Sequence, residues 1–170
     1  MNVTKYTKKD KEKIISSLKE KRIVAMAIDG EYELVAIANK ENEERIVKIS
    51  GQRVDLVFDN SDDFDKYLWD ITYYKREYML DNLDNNYVFV VRLSNFKDFD
   101  SDYYNVKVAK DEFVKDIIKE VGPIVSSKIN ILEMEKKDKE LGIDIVEEKI
   151  DKKEEEIVVS LLEDIEVISK

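Results

Sequence analysis

Asp98, Asp100 and Asp102 alternate through "KDFDSDYY", a spacing that gathers carboxylates for a hard divalent cation bound with backbone oxygens and water. No Gly opens that turn and no later Glu completes a shell, so a solvated loop between strands uses the same residues. A second acidic stretch, "DNSDDFDKYLWD", sets Asp59, Ser61, Asp63, Asp65 and Asp70 at the first, third, fifth, seventh and twelfth places of a calcium-loop register. Phe64 stands where that register needs Gly, and the acidic first turn of a helix accounts for the same carboxylates.

Other chemistry finds fewer parts. The chain has no Cys, which excludes disulfides, zinc-thiolate sites and cysteine nucleophiles. It has no His, which removes the commonest general base and transition-metal ligand. A magnesium nuclease would use Glu-x-Lys on a strand, but "ERIVKIS" puts Ile46 at the Lys position. The triplet at 147–149, "EEK", falls in a charge-rich tail. No Gly-rich phosphate loop, nucleophile elbow or Ser-based dyad is present. The expectation is therefore no catalytic residues, no resident cofactor, and a protein that is not an enzyme; Asp98, Asp100 and Asp102 are the metal candidates.

The remaining candidates are aromatic. On a helical wheel over residues 64–80, Phe64, Tyr67, Leu68, Ile71, Tyr74 and Tyr78 share one arc, expected to pack on a sheet. Trp69, Tyr73 and Leu80 fall on the other side with Arg76 beside them. Trp, Tyr and Arg are enriched at binding hot spots, so Trp69, Tyr73, Arg76 and Leu80 are the candidate protein-binding stripe. The alternative is that a later element covers them.

The elements that must position these residues follow from pattern. Residues 7–21 read as a helix with a narrow stripe of Ile14, Ile15 and Leu18, capped by Thr7. "RIVAMAI", "YELVAIAN", "ERIVKIS" and "RVDLVF" read as four strands of an antiparallel meander over 22–58. Residues 62–81 read as one helix, "YVFVVRLSNF" and "YYNVKVAK" as two strands, and "DEFVKDIIKEVGP" as a helix stopped by Gly122 and Pro123. A fourth helix is expected over 124–141. In "EIVVSLLEDIEVI" the alternation of Ile157, Val159, Leu161, Ile165 and Val167 favours a terminal strand, hairpinned with "IDIVEEKI".

A chain of 170 residues suits one domain with a sizeable core, here an α+β core over 1–132 and a charged appendage over 133–170 packed on it. The fold class expected is α+β, an antiparallel sheet covered by helices. The net charge is −10, although residues 1–22 alone hold eight Lys/Arg against three Asp/Glu. That overall sign argues against direct nucleic-acid binding. The longest apolar run, Ile23–Ile28, is far short of a membrane span and the first residues are not signal-like, so a cytoplasmic location is expected. Richness in Lys and Glu fits a heat-adapted source or an AT-rich genome equally well.

The function expected is a non-catalytic acidic regulator, inhibitor or accessory subunit. It would engage a basic or nucleic-acid-handling protein partner, in the extreme as a DNA mimic. The alternatives are a Mg²⁺- or Ca²⁺-dependent enzyme built on the Asp cluster and a homo-oligomer joined through Trp69.

Overall fold

A computed structural model describes residues 4–67, 71–92, 103–130, 143–148 and 156–169. Ten strands form a single mixed sheet: β1 (Lys5–Tyr6), β2 (Val24–Ile28), β3 (Glu31–Ile37), β4 (Asp55–Phe58), β5 (Tyr87–Arg92), β6 (Tyr103–Val108), β7 (Ile124–Lys128), β8 (Asp144–Val146), β9 (Ile157–Ser160) and β10 (Glu166–Ser169). Their spatial order is β1-β8-β2-β3-β7-β4-β6-β5-β9-β10. β8 lies parallel to both β1 and β2, β4 is parallel to β6, and β5 is parallel to β9; the other neighbours are antiparallel.

This overturns the antiparallel meander. β2 and β3 do form a hairpin, turned at Asp29 and Gly30, both at positive φ. However, "ERIVKIS" is not a strand. It belongs to the helix α2 (Lys40–Ser50), where Asn39 accepts a bond from the Asn42 amide and Gly51 ends the helix at φ +70°. Those caps, with Glu41 and Glu43 in the first turn, outweigh the strand preference of Ile46, Val47 and Ile49. β4 therefore does not lie beside β3; β7 is inserted between them, paired antiparallel to both.

β7 is itself a correction, because residues 124–128 were expected to open a helix. Its five residues bond β3 on one side and β4 on the other, and sheet pairing overrides the local pattern. The terminal strand is present as β9 and β10, but its hairpin partner is not "IDIVEEKI". β8 joins the opposite end of the sheet, where the buried Asp144 accepts two 2.7 Å bonds from the Arg22 guanidinium. Residues 133–170, expected as a charged appendage packed on the core, thus supply three strands of the one sheet.

Helices cover both faces. Alternate strand residues point to opposite sides. On one side, α1 (Lys11–Lys19) and α5 (Glu112–Val121) pack Ile14, Ile15, Leu18, Val114, Ile117 and Ile118 against Val24, Met26, Val35, Val57 and Ile124. On the other, α2 and the segments α3 (Phe64–Tyr67) and α4 (Tyr73–Asp81) set Ile46, Phe64 and Met79 against Leu34, Leu56, Phe58, Phe89, Val91 and Val106. Burial on both sides explains why all five residues of β2 are inaccessible and read as an unbroken apolar run.

The helix expected over 62–81 is divided. Thr72 is extended (φ −68°, ψ 156°) and its hydroxyl accepts from the Lys75 amide, so α4 starts afresh there. The wheel loses its phase at that restart. Tyr74, expected to pack on the sheet, is 73% exposed, whereas Met79 is fully buried. Among the described residues no helix is long and apolar enough to cross a membrane.

Candidate functional site

The side of the sheet that α1 and α5 cover changes character towards β4, β6 and β5. Strand alternation that sends Val35 and Ile37 into the α1/α5 core also sends Glu31 and Glu33 to that side. By the same parity it receives Ser126 and Lys128 from β7, Asp55 from β4, and Asn105 and Lys107 from β6. Glu156, which precedes β9, joins them through its ion pairs.

These residues form one connected network. The Lys107 ammonium donates to both oxygens of Glu33 at 3.0 and 3.3 Å. It also pairs with Asp55 at 3.4 Å and with Glu156 at 3.6 Å. The Ser126 hydroxyl donates to Glu33 at 2.9 Å. Lys128 pairs with Glu31 at 3.3 Å and donates to the second oxygen of Glu156. Both Glu33 and Lys107 are buried, at 1% and 7% side-chain exposure, so the network sits where charge is costly unless paired.

Carboxylates outnumber ammonium groups here, and the titration behaviour follows. Burial, reinforced by Asp55, pushes the Glu33 carboxyl up to about 7 even with Lys107 against it. Burial likewise raises Asp55. Burial opposes the charge on Lys107, but the surrounding Glu33, Asp55 and Glu156 prevail and hold it firmly protonated. Burial also works against ionised Glu156, yet Lys107 and Lys128 together draw it below the usual carboxylate range. The surroundings thus favour the charged forms of Lys107, Lys128 and Glu156, while Glu33 is pushed towards keeping its proton near neutrality.

A cavity of about 300 Å³ opens against this network, lined by Gln52, Arg53, Asp55, Asn105, Lys128 and Glu156 over an apolar floor of Val88 and Val158. At its rim the Arg53 guanidinium lies 4.3 Å from the centre of the Tyr103 ring and donates to the Tyr103 carbonyl at 2.8 Å. A larger hollow of about 470 Å³ lies between β1 and α1, lined by Thr4, Lys13 and Glu20 among others. It touches none of the buried charges, so chemistry favours the smaller cavity. The walls can meet a polar molecule with both signs of charge: Arg53 and Lys128 suit an anionic group, Asp55 an ammonium or hydroxyl.

None of these residues was a candidate from sequence. Of the aromatic stripe, Tyr73 is 78% exposed, Arg76 and Leu80 are half-buried, and Trp69 lies outside the described residues, as do Asp98, Asp100, Asp102 and Asp70. Asp63 pairs with Lys66 at 3.2 Å. Among the described residues no group of three or more acidic side chains is placed to hold a metal ion. The available signal was a charged residue on the same side as buried apolar ones: Glu33 two before Val35, Asp55 two before Val57, Lys107 within "NVKVA".

No protein-family profile matches the sequence, and no curated protein sequence matches it. Solved structures do. The fold is that of E. coli YciO, with a TM-score of 0.80 at 14% identity over 99% of this chain and 95% of that one. P. abyssi Sua5, solved in complex with L-threonine, matches at 0.78 and 14% identity over 95% of this chain, which spans 54% of Sua5. Full-length HypF in a phosphate- and nucleotide-bound form matches at 0.67 and 17% identity over 89% of this chain and 27% of HypF.

These likenesses establish the fold and overturn the acidic regulator, inhibitor or accessory subunit expected from composition. That expectation rested on the acidic net charge and on the stripe of Trp69, Tyr73, Arg76 and Leu80. The similar structures include two solved with small molecules bound, and here part of the acidic content is spent inside, on a lysine network beside a cavity.

Proposed function

We propose that this chain is a small-molecule-binding domain whose site is the cavity between β7, β4, β6 and β9, and that its ligand is a zwitterion of amino-acid size. The single observation that carries this is the convergence of Lys128, Asp55 and Glu156 on a cavity of about 300 Å³, with the buried Lys107 paired to both acids. The ligand's carboxylate faces Lys128 and Arg53, its ammonium faces Asp55, and its carbon skeleton rests on Val88 and Val158. Support comes from the L-threonine bound to Sua5, which shares this fold.

Arg53 on Tyr103 favours a second reading, a nucleotide, because a planar cation beside a ring at the rim suits a phosphate next to a stacked base. HypF, solved with phosphate and nucleotide, supports it. Calorimetric titration with L-threonine and with ATP tests both. The reading predicts saturable 1:1 binding of one of them, lost in Lys128→Ala. Heat of dilution alone for both at millimolar concentration defeats it.

A further inference from the structure

Within that reading, one carboxylate is conspicuously placed. Glu156 lines the cavity beside Lys128, offers one oxygen to that lysine and the other to the buried Lys107, and so links the cavity wall to the buried cation. Of the three carboxylates around Lys107 it is the one drawn below the usual carboxylate range, while Glu33 and Asp55 are pushed the other way. It also enters from outside the strands that carry the lysines, just ahead of β9, whereas Glu33 and Asp55 are fixed within β3 and β4.

We infer that Glu156 is a built-in competitor: its carboxylate fills the anion-binding position of the cavity, and a ligand's carboxylate or phosphate binds only by displacing it from Lys128. The exchange is chemically even, because a ligand's anion replaces Glu156 on Lys128 while the buried Lys107 stays among its other carboxylates. The rest of the network is self-sufficient without Glu156. Lys107 keeps both oxygens of Glu33 and the Asp55 carboxylate, and Lys128 keeps Glu31. Removing the Glu156 carboxylate therefore vacates the position and leaves its donors in place. Affinity for anionic ligands is held down, and selectivity arises because the ligand must outbid an intramolecular partner at high effective concentration.

The inference rests on the proposed site, and the test separates the two. Wild-type protein, Glu156→Ala and Glu156→Gln are titrated with L-threonine, with inorganic phosphate, and with 1-amino-2-propanol, which is threonine without its carboxylate. Circular dichroism confirms that each variant is folded, and Glu156→Gln, which keeps the side-chain volume, carries the test if Glu156→Ala is not. Both variants are expected to tighten binding of threonine or phosphate by about tenfold, as removal of a competing charged contact allows, with 1-amino-2-propanol unchanged. Whether threonine or phosphate gains tells which anion the position prefers. Unchanged or weaker binding of both anions, or equal tightening of the amino alcohol, overturns the inference while the proposed site stands. No binding of any probe by any of the proteins removes the site and the inference together.

Discussion

Lys107 is the hinge of the account at the scale of single residues. It is an almost inaccessible cation with three carboxylates around it, and a buried ion set of that kind stabilises only while it is complete. Replacing Lys107 by Met leaves Glu33 and Asp55 without their cation, and we predict a loss of about 3–5 kcal/mol in urea unfolding. A loss under about 1 kcal/mol would mean that the carboxylates are neutralised some other way. Glu33 yields a second prediction, in which the sign is fixed by linkage. Its carboxyl is raised from 4.5 to about 7 in the folded chain, so across that window the native state holds a proton that the unfolded state has released. Stability then falls as pH rises through the window. The thermal midpoint should drop between about pH 5 and pH 8, and Glu33→Gln should remove most of that slope. A flat or rising wild-type profile would show that Glu33 ionises without penalty.

At the scale of elements, the caps decided what side-chain preference did not. α5 was legible because every signal agreed: Asp111 caps it, Val114, Ile117 and Ile118 make its buried stripe, and Gly122 ends it. α2 was misread because Ile46, Val47 and Ile49 look like strand residues, whereas its identity lies in Asn39 and Gly51 at its ends. Gly51 has open space around its missing Cβ but a left-handed backbone, so Gly51→Ala should cost about 1 kcal/mol by backbone strain alone. Thermal unfolding checks this, and an unchanged midpoint would place the helix end elsewhere. β7 was illegible for a different reason. Its strand character comes from β3 and β4, whose sequences lie far from it, and local periodicity contains no such term. The site inherited that difficulty, since Lys128 and Ser126 meet Glu33 only after β7 has slotted in.

For the molecule as a whole, the sheet's topology turns an acidic, charge-rich composition into a local device. Six described charged residues from β3, β4, β6, β7 and the approach to β9 form this network beside one cavity, and none of its ion pairs joins strands that are consecutive in the chain. Composition could report the abundance of Asp, Glu and Lys, but not that they would meet. This meeting place is where we propose that a small molecule binds. The most direct measurement is an amide chemical-shift titration of isotope-labelled protein with L-threonine and, separately, ATP. Binding in the cavity predicts saturable shifts at Asp55, Asn105, Lys128 and Glu156 with one of them. Shifts absent at millimolar ligand, or confined to Tyr73–Leu80 on α4, would contradict it.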